Sequence, residues 1–184
     1  MAGFAIETER LRLRSWREAD RAPFAAICAD PNVMATLGPV MNRAESDALL
    51  GRVEAIEAEY GHTFWALERK DDAVLIGWCG VIRGNAGPVE GKAEIGWRLA
   101  HETWGKGYAT EAARASLDWL FANLPDERAW AITHTGNQRS RAVMERLGMG
   151  HHPDLDFDHP RIAEGDPLRR HVAYSLARAD WCAT

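Results

Sequence analysis

The 184-residue sequence has only three cysteines, Cys28, Cys79 and Cys182, and they lie far apart. It contains no CxxC pair and no Cys/His pair at zinc-ligand spacing, so we expect neither a disulfide framework nor a structural metal site. We expect the thiols to be reduced and buried as small hydrophobic side chains.

Long hydrophobic runs are also missing, because no apolar stretch approaches the roughly 20 residues that a membrane-spanning helix needs. The first residues, MAGFAIETER, do not place an apolar segment after a basic one, so we expect no secretory signal, no membrane association and a cytoplasmic location. Basic residues are not in excess: 22 Lys and Arg against 27 Asp and Glu give a net charge of −5, which disfavours nucleic acid as a partner.

What the sequence does contain is the composition of an ordinary globular protein, 46% hydrophobic and 27% charged. The length predicts a single domain over residues 1–184 that buries a core without disulfide or metal cross-links. Tryptophan is abundant, with eight residues, which fits either core packing or flat ligand-facing surfaces.

Hydrophobic periodicity predicts a helical region early in the chain and a sheet after it. Helices are predicted at residues 16–30, 45–60 and 137–147 and after Gly107, with loops at residues 31–42 and 151–167. Strands are predicted at residues 10–16, 63–69, 74–83, 92–99, 129–135 and 170–176. This order indicates an α/β (α+β) domain with a mixed sheet.

The most informative segment is WGKGYAT, residues 104–110, between a predicted strand and a predicted helix. Gly105 and Gly107 allow a ligand to approach the main chain closely, and the helix start that follows offers unpaired N–H groups to an anion. Lys106 adds a positive charge. The segment matches neither GxxxxGK[ST] nor GxGxxG, so phosphate binding and a tight strand-to-helix connection both remain open.

WGKGYATEA, with EIGWRL before it and GNQRSRAVMERLGM after it, resembles the acetyl-CoA-binding core of the GNAT acetyltransferase superfamily. The resemblance is to the branch that includes ribosomal-protein-alanine N-terminal acetyltransferases, and it runs from about Thr8 to Leu176. Trp104 stands where the family pattern [Q/R]-x-x-G-x-[G/A] begins with Gln or Arg. The resemblance implies a single GNAT-like domain with a mixed, mostly antiparallel sheet of about seven strands and about four helices.

The resemblance also implies acetyl-CoA as the co-substrate. Its pyrophosphate would lie on the glycine loop, and its pantetheine arm would pair with the strand over residues 94–99. Asn137 would bind the pantetheine, unless it is an ordinary helix N-cap. The implied cofactor-binding residues are Leu99, Ala100, Gly105, Lys106, Gly107, Tyr108, Ala109, Thr110, Asn137 and Ser140.

The acceptor implied by the family is an amine, either a peptide N-terminus or a small cationic amine, whose nitrogen needs a free lone pair to react. Glu94 is the candidate base, and an apolar neighbourhood that includes Trp97 would raise its pKa. Ser140 is the candidate acid beside the CoA sulfur. Glu94 as a rim carboxylate and Ser140 as a solvent-facing serine are the alternatives. A bulge near residues 95–97 would supply backbone N–H groups to the developing negative oxygen.

Three further expectations concern the acceptor and the assembly. Loop 151–167, rich in Asp and His, is either a solvated loop or an acidic lid that attracts a cationic amine. Trp65 and residues 34–41 either line the acceptor side or pack in the core. The protein is expected to be a monomer or a homodimer, and a catalytically inactive CoA-binding module is the alternative to an enzyme. A nucleotide hydrolase is disfavoured because no Walker lysine is present.

Overall fold

The structure, a computed structural model, describes residues 4–181, so Cys182 lies outside the described residues. The strands in this range are β1 (Ala5–Glu7), β2 (Leu11–Arg14), β3 (Phe64–Arg69), β4 (Leu75–Arg83), β5 (Ala93–Leu99), β6 (Arg128–His134), β7 (Gly150–His151), β8 (Phe157–Asp158) and β9 (Arg170–Ala177). The α-helices are α1 (Arg21–Ala29), α2 (Pro31–Met34), α3 (Arg43–Tyr60), α4 (Tyr108–Asn123), α5 (Gln138–Arg146) and α6 (Arg178–Trp181).

The strands form one open sheet in the order β1-β2-β3-β4-β5-β6-β9-β7, with β8 also paired to β9. Neighbouring strands are antiparallel except β5 and β6, which are parallel. The predicted fold class, a mixed and mostly antiparallel sheet with helices, is therefore confirmed. The structure adds very short strands and helices to the predicted set.

The added elements are too short to give a hydrophobic period. β7 and β8 have two residues each and divide the segment predicted as a long loop. α2 lies inside the loop predicted at residues 31–42, where Pro31 occupies the first helical turn and the side chain of Asp30 accepts a hydrogen bond from the Asn32 N–H.

Two hydrophobic clusters lie on the two faces of the sheet. The first packs α4 against the sheet through a stripe of small and aliphatic residues that includes Ala112, Ala113 and Leu117. Small side chains allow this helix to lie close to the strands. The second cluster packs α1 and α3 against the opposite face, around Phe24 and Trp78. Side chains alternate along a strand, so successive residues of β5 face the first cluster and the second cluster in turn.

Trp65 is a core residue, so the expectation that it lines the acceptor side is wrong and the packing alternative is correct. It is fully buried, stacks on Phe4 at a centroid distance of 4.4 Å and meets the edge of Trp119 at 5.0 Å. Cys28 and Cys79 are free and buried, as predicted. Within residues 4–181, every helix is too short or too polar to cross a membrane.

Candidate active site

A large cleft opens beside the carboxyl end of β5. Its volume is about 1460 Å³, and four segments surround it: the end of β5, the start of α4, the start of α5 and residues 32–37. We call the first wall, formed by Gly105, Gly107 and the first turn of α4, the glycine-loop side. The second wall, formed by residues 32–37, is the α2 side.

On the glycine-loop side the main chain is open to the cleft. Gly105 has a φ of +74° and Gly107 a φ of +82°, a conformation that other residues rarely adopt. A Cβ added to Gly105 would meet nothing within 4 Å, and one added to Gly107 would meet only Arg10 Nη2 at 3.4 Å. Both glycines line the cleft, so their lack of a side chain leaves the backbone accessible to a ligand.

The first turn of α4 offers N–H groups to the same space. Gly107 is the N-cap and has no side-chain capping bond, and the helix begins with the Glu111 N–H donating to the Gly107 carbonyl at 3.0 Å. The N–H groups of Tyr108, Ala109 and Thr110 therefore have no partner within the helix, and all three residues line the cleft. Such a helix end attracts anions.

A clamp from the N-terminal segment holds the glycine loop in place. The Glu111 carboxylate accepts hydrogen bonds from Thr8 Oγ1 at 2.6 Å, the Arg10 N–H at 2.9 Å and Arg10 Nε at 2.7 Å. Burial would raise the pKa of Glu111, but these bonds outweigh it and lower the pKa. Arg10 Nη1 in turn donates to the Lys106 carbonyl at 2.9 Å. Sequence reasoning missed this clamp because its members lie about 100 residues apart.

Lys106 is exposed and does not line the cleft. Its contribution is the main-chain carbonyl that accepts the hydrogen bond from Arg10. Cationic side chains reach the cleft from elsewhere: Arg98 on β5, Arg114 on α4, and Arg139 and Arg146 on α5. The guanidinium of Arg139 lies 4.6 Å from the ring centroid of Trp104, which also lines the cleft. Sequence reasoning gave these arginines no role, although Arg139 and Arg146 lie in the segment GNQRSRAVMERLGM that carries the resemblance.

The end of β5 presents an open edge. The Ala100 N–H donates to the Ile76 carbonyl of β4 at 2.9 Å, and Leu99 lies opposite Gly77. In an antiparallel ladder this arrangement turns the main-chain groups of Trp97 and Leu99 away from β4, towards β6. β6 is in register with β5 only at the pair Glu94 and Trp130, so the strands diverge beyond it.

One expectation about this strand is wrong, and another meets an obstacle. The main chain of Ala100 is bonded within the protein, because its N–H donates to Ile76 and its carbonyl accepts from Thr103, which disfavours the expected pantetheine contact. No bulge occurs near residues 95–97, since the register of β4 with β5 is continuous from the Gly77–Leu99 pair to the Arg83–Ala93 pair.

At the start of α5, Asn137 is the N-cap. Its side-chain oxygen accepts from the Ser140 N–H at 3.1 Å, and its Nδ2 donates to Thr133 Oγ1 at 3.0 Å. Asn137 is 7% exposed and Ser140 is half-buried, and both line the cleft. Asn137 is therefore a helix N-cap, one of the two expected roles, and it lies in the same cleft as Ser140.

Glu94 lies on the face of β5 opposite Ile95, and burial raises its pKa to about 7, opposed by the positive charge of Arg161. Glu94 does not line the cleft, whereas Trp97, three residues further along β5, does. Three residues of strand span about 10 Å. The structure therefore does not bring Glu94 and Ser140 into the same cavity.

The α2 side is mainly apolar. Met34 is 1% exposed and belongs to the core, and Met41 packs against the same cluster, so the packing alternative holds for both. Thr36 and Leu37 line the cleft and also a smaller adjoining pocket of about 100 Å³. The other residues of that pocket are Ile132, Thr133, His134, Ile162, Leu168 and His171.

Loop 151–167 is partly held by ion pairs. Asp156 pairs with His151 at 2.8 Å, and Asp158 pairs with Arg170 at 3.3 Å. The residue of this loop that reaches the small pocket is Ile162. The remaining acidic residues of the loop, all exposed and without an ion pair within residues 4–181, are Asp154, Glu164 and Asp166. A solvated loop and an acidic lid therefore both stay open.

Comparisons with known proteins agree with this geometry. A family model described as an acetyltransferase (GNAT) domain matches residues 10–150. The uncharacterized protein YkkB of Bacillus subtilis (strain 168) is 32% identical over 147 residues, which cover 78% of this chain and 84% of that protein.

Solved structures show the same fold. An acetyltransferase from Agrobacterium tumefaciens str. C58 superposes with a TM-score of 0.77 at 26% identity, covering 96% of this chain and 95% of that one. A ribosomal-protein-S5-alanine acetyltransferase from Vibrio fischeri has a TM-score of 0.75 over 97% of this chain and 98% of its own, at 18% identity, a likeness of fold alone. This chain belongs to the GNAT family and is an acyl-CoA-dependent N-acetyltransferase.

Proposed function

We propose that this chain, acting as one domain over residues 1–184, moves the acetyl group of acetyl-CoA to a primary amine. The acceptor is a peptide N-terminus or a small-molecule amine. GNAT acetyltransferases act on amines in general.

The observation that carries the proposal is the union of three features in one cleft. These are an open glycine loop, the uncapped start of α4 and the unpaired edge of β5. The first two suit the phosphates of CoA, since main-chain N–H groups at a helix start bind such anions. The edge of β5 suits an extended amide-containing arm, which pairs with a strand as another strand would.

The residues proposed to hold the phosphates are Gly105, Gly107, Ala109 and Thr110, with Lys106 and Tyr108 completing the loop. The arm is assigned to Leu99 and Asn137. Trp97 joins this set because its main-chain groups share the open edge with those of Leu99. Ala100 is omitted because its main chain is bonded within the protein.

Acetyl-CoA supplies an acetyl thioester, whose carbonyl carbon bonds the amine nitrogen as the carbon–sulfur bond breaks. Glu94 accepts the proton that the nitrogen loses. A pKa of about 7 leaves a useful fraction of this carboxyl ionised at neutral pH while keeping it a competent base. Since Glu94 does not line the cleft, the proton reaches it through a chain of water molecules.

Ser140 donates its hydroxyl proton to the departing sulfur and takes a proton from solvent water in return. Its position in the first turn of α5 is fixed by the bond from its N–H to Asn137, and it lines the cleft. Asn137 is itself anchored to Thr133, so the hydroxyl is presented by a rigid helix start.

The test is a CoA-thiol release assay with acetyl-CoA over a panel of peptide N-termini and small amines, run beside calorimetric CoA binding. Acceptor-dependent thiol release, with the acetylated amine seen by mass spectrometry, is the expected result. CoA binding with no release for any acceptor would favour the inactive CoA-binding module instead. Failure to bind CoA would overturn the assignment of the cleft.

A further inference from the structure

Arg98 of β5 lines the cleft from the face of the sheet that carries α1 and α3. Its neighbours Trp97 and Leu99 direct their main chain to the open edge, and Leu99 packs into the α4 cluster. Arg98 therefore points to the opposite face, where its guanidinium lies 4.8 Å from the ring centroid of Trp78. Glu94 occupies the same face, four residues earlier, because side chains alternate along a strand.

The guanidinium of Arg98 has weak partners. Its Nη1 donates to Cys28 Sγ at 3.1 Å, and its Nε is buried with no hydrogen-bond partner. Across residues 4–181, no carboxylate lies within 4.0 Å of Arg98. A thiol is a poor acceptor, so most of the donor capacity of this side chain is unused.

Arg14 shows how the same protein treats another buried arginine. Arg14 binds Asp20 at 2.7 Å and Glu68 at 2.8 Å, so its charge is balanced by two carboxylates. Arg98 has no such balance, and burial lowers its pKa, with a smaller opposing effect from Cys28. A desolvated cation without a counter-ion is costly, and its guanidinium fork suits a bidentate carboxylate or phosphate.

The groups near Arg98 leave its positive charge available to a ligand on the α2 side of the cleft. The smaller pocket is lined by aliphatic side chains and by His134 and His171. Burial lowers the pKa of His171, so it adds no positive charge at neutral pH. Two acidic residues of the neighbouring loop are paired, Asp156 with His151 and Asp158 with Arg170, and the other three are exposed. CoA phosphates already have a site at the start of α4, across the sheet from Arg98.

We propose that the acceptor is an amine that also carries a carboxylate. Arg98 binds this carboxylate, and Glu94 accepts the proton from the amine. The inference rests on the proposed function and narrows its substrate class. Four residues of strand separate the two side chains by about 13 Å at the backbone, which favours molecules whose amine and carboxylate are several bonds apart.

The first test compares matched pairs that differ by the carboxylate, such as 5-aminopentanoate with butylamine and lysine with cadaverine. We expect the carboxylate-bearing member to have a kcat/KM at least tenfold higher in the wild type. Arg98→Met should remove that preference, and Arg98→Lys should keep part of it. Arg52→Met, at an exposed position on α3, is the matched control and should keep the full preference.

Calorimetry separates the possible failures, because it measures binding without turnover. We expect 5-aminopentanoate to bind the CoA-loaded wild type and not Arg98→Met, while both proteins bind CoA equally. Equal kcat/KM for both members of each pair in the wild type would overturn the role of Arg98 and leave the acetyltransferase proposal standing. Weaker CoA binding by Arg98→Met would instead assign Arg98 to a phosphate of CoA, against the inference. Carboxylate binding without turnover would support Arg98 and contradict the catalytic proposal.

Discussion

The two walls of the cleft are built by different means. On the glycine-loop side the groups available to a ligand are main-chain N–H groups, exposed by Gly105 and Gly107 and by the start of α4. On the α2 side and along the nearby face of β5 the groups are side chains, with Arg98 lining the cleft and Glu94 on the same face four residues away, outside the cleft. Main-chain groups recognise a constant ligand, and side chains can change to suit a particular acceptor.

The largest effect should come from blocking the glycine-loop side of the cleft. Gly107→Trp places a bulky side chain where the loop is open and forces an unfavourable φ of +82° on it. We expect CoA affinity to fall at least 100-fold, measured by calorimetry. Gly61→Trp is the matched control, because Gly61 also has a positive φ, with open space around it, and ends α3 outside the cleft.

If Gly107→Trp binds CoA normally while its melting temperature matches that of Gly61→Trp, the glycine loop is not the phosphate site. The contrast between the two walls would then be lost.

The next largest effect, on kcat, should come from Ser140, whose side chain lies near the glycine-loop side of the cleft. Ser140→Ala removes the proposed proton donor, and we expect kcat to fall by about 100-fold, the lower end of the range typical of a lost general acid. Calorimetric CoA affinity should change less than twofold. Ser140→Thr keeps a hydroxyl and should recover most of the activity, whereas an unchanged kcat in Ser140→Ala would exclude Ser140 as the acid.

A smaller effect is expected on the free energy of unfolding when Glu94 is replaced. The pKa of Glu94 is raised to about 7 in the folded state against about 4.3 in the unfolded chain, so the folded state binds a proton more tightly between these values. Stability from this group is therefore present at low pH and is lost as pH rises towards 7. Relative to wild type, Glu94→Gln should gain about 3 kcal/mol between pH 4 and pH 8.

Chemical denaturation at both pH values measures that gain. Glu127→Gln is the control, because the Glu127 side chain is 85% exposed and the change there should not depend on pH. A pH-independent difference between Glu94→Gln and wild type would mean that Glu94 titrates normally, and the case for Glu94 as a tuned base would fail.

The two walls also differed in how far the sequence predicted them. The glycine-loop side was accessible because its residues are contiguous, and glycines before a helix start have a direct physical consequence. The N-cap role of Asn137 could be proposed for the same reason, since capping is a local property of a helix start. The fold class followed from periodicity in the long strands and helices.

The rest depended on contacts between distant segments. The Glu111–Arg10 clamp joins residues 101 positions apart, and the lack of a counter-ion for Arg98 becomes visible only when the whole chain is folded. The occupied main chain of Ala100 depends on its bond to Ile76 of a neighbouring strand. Local patterns carry no information on such pairings.

The central claim is that the glycine-loop side holds the cofactor while Glu94, on the other face of β5, activates the acceptor. The dependence of kcat/KM on pH in wild type and Glu94→Gln tests it most directly, with calorimetric CoA affinity measured alongside. We predict that kcat/KM of the wild type, calculated on the unprotonated form of the acceptor amine, rises with pH to a plateau with a midpoint near 7. In Glu94→Gln that rise should vanish and kcat/KM should fall about 100-fold, with CoA affinity unchanged. A variant that keeps the wild-type profile, or one that loses CoA binding, would contradict the account.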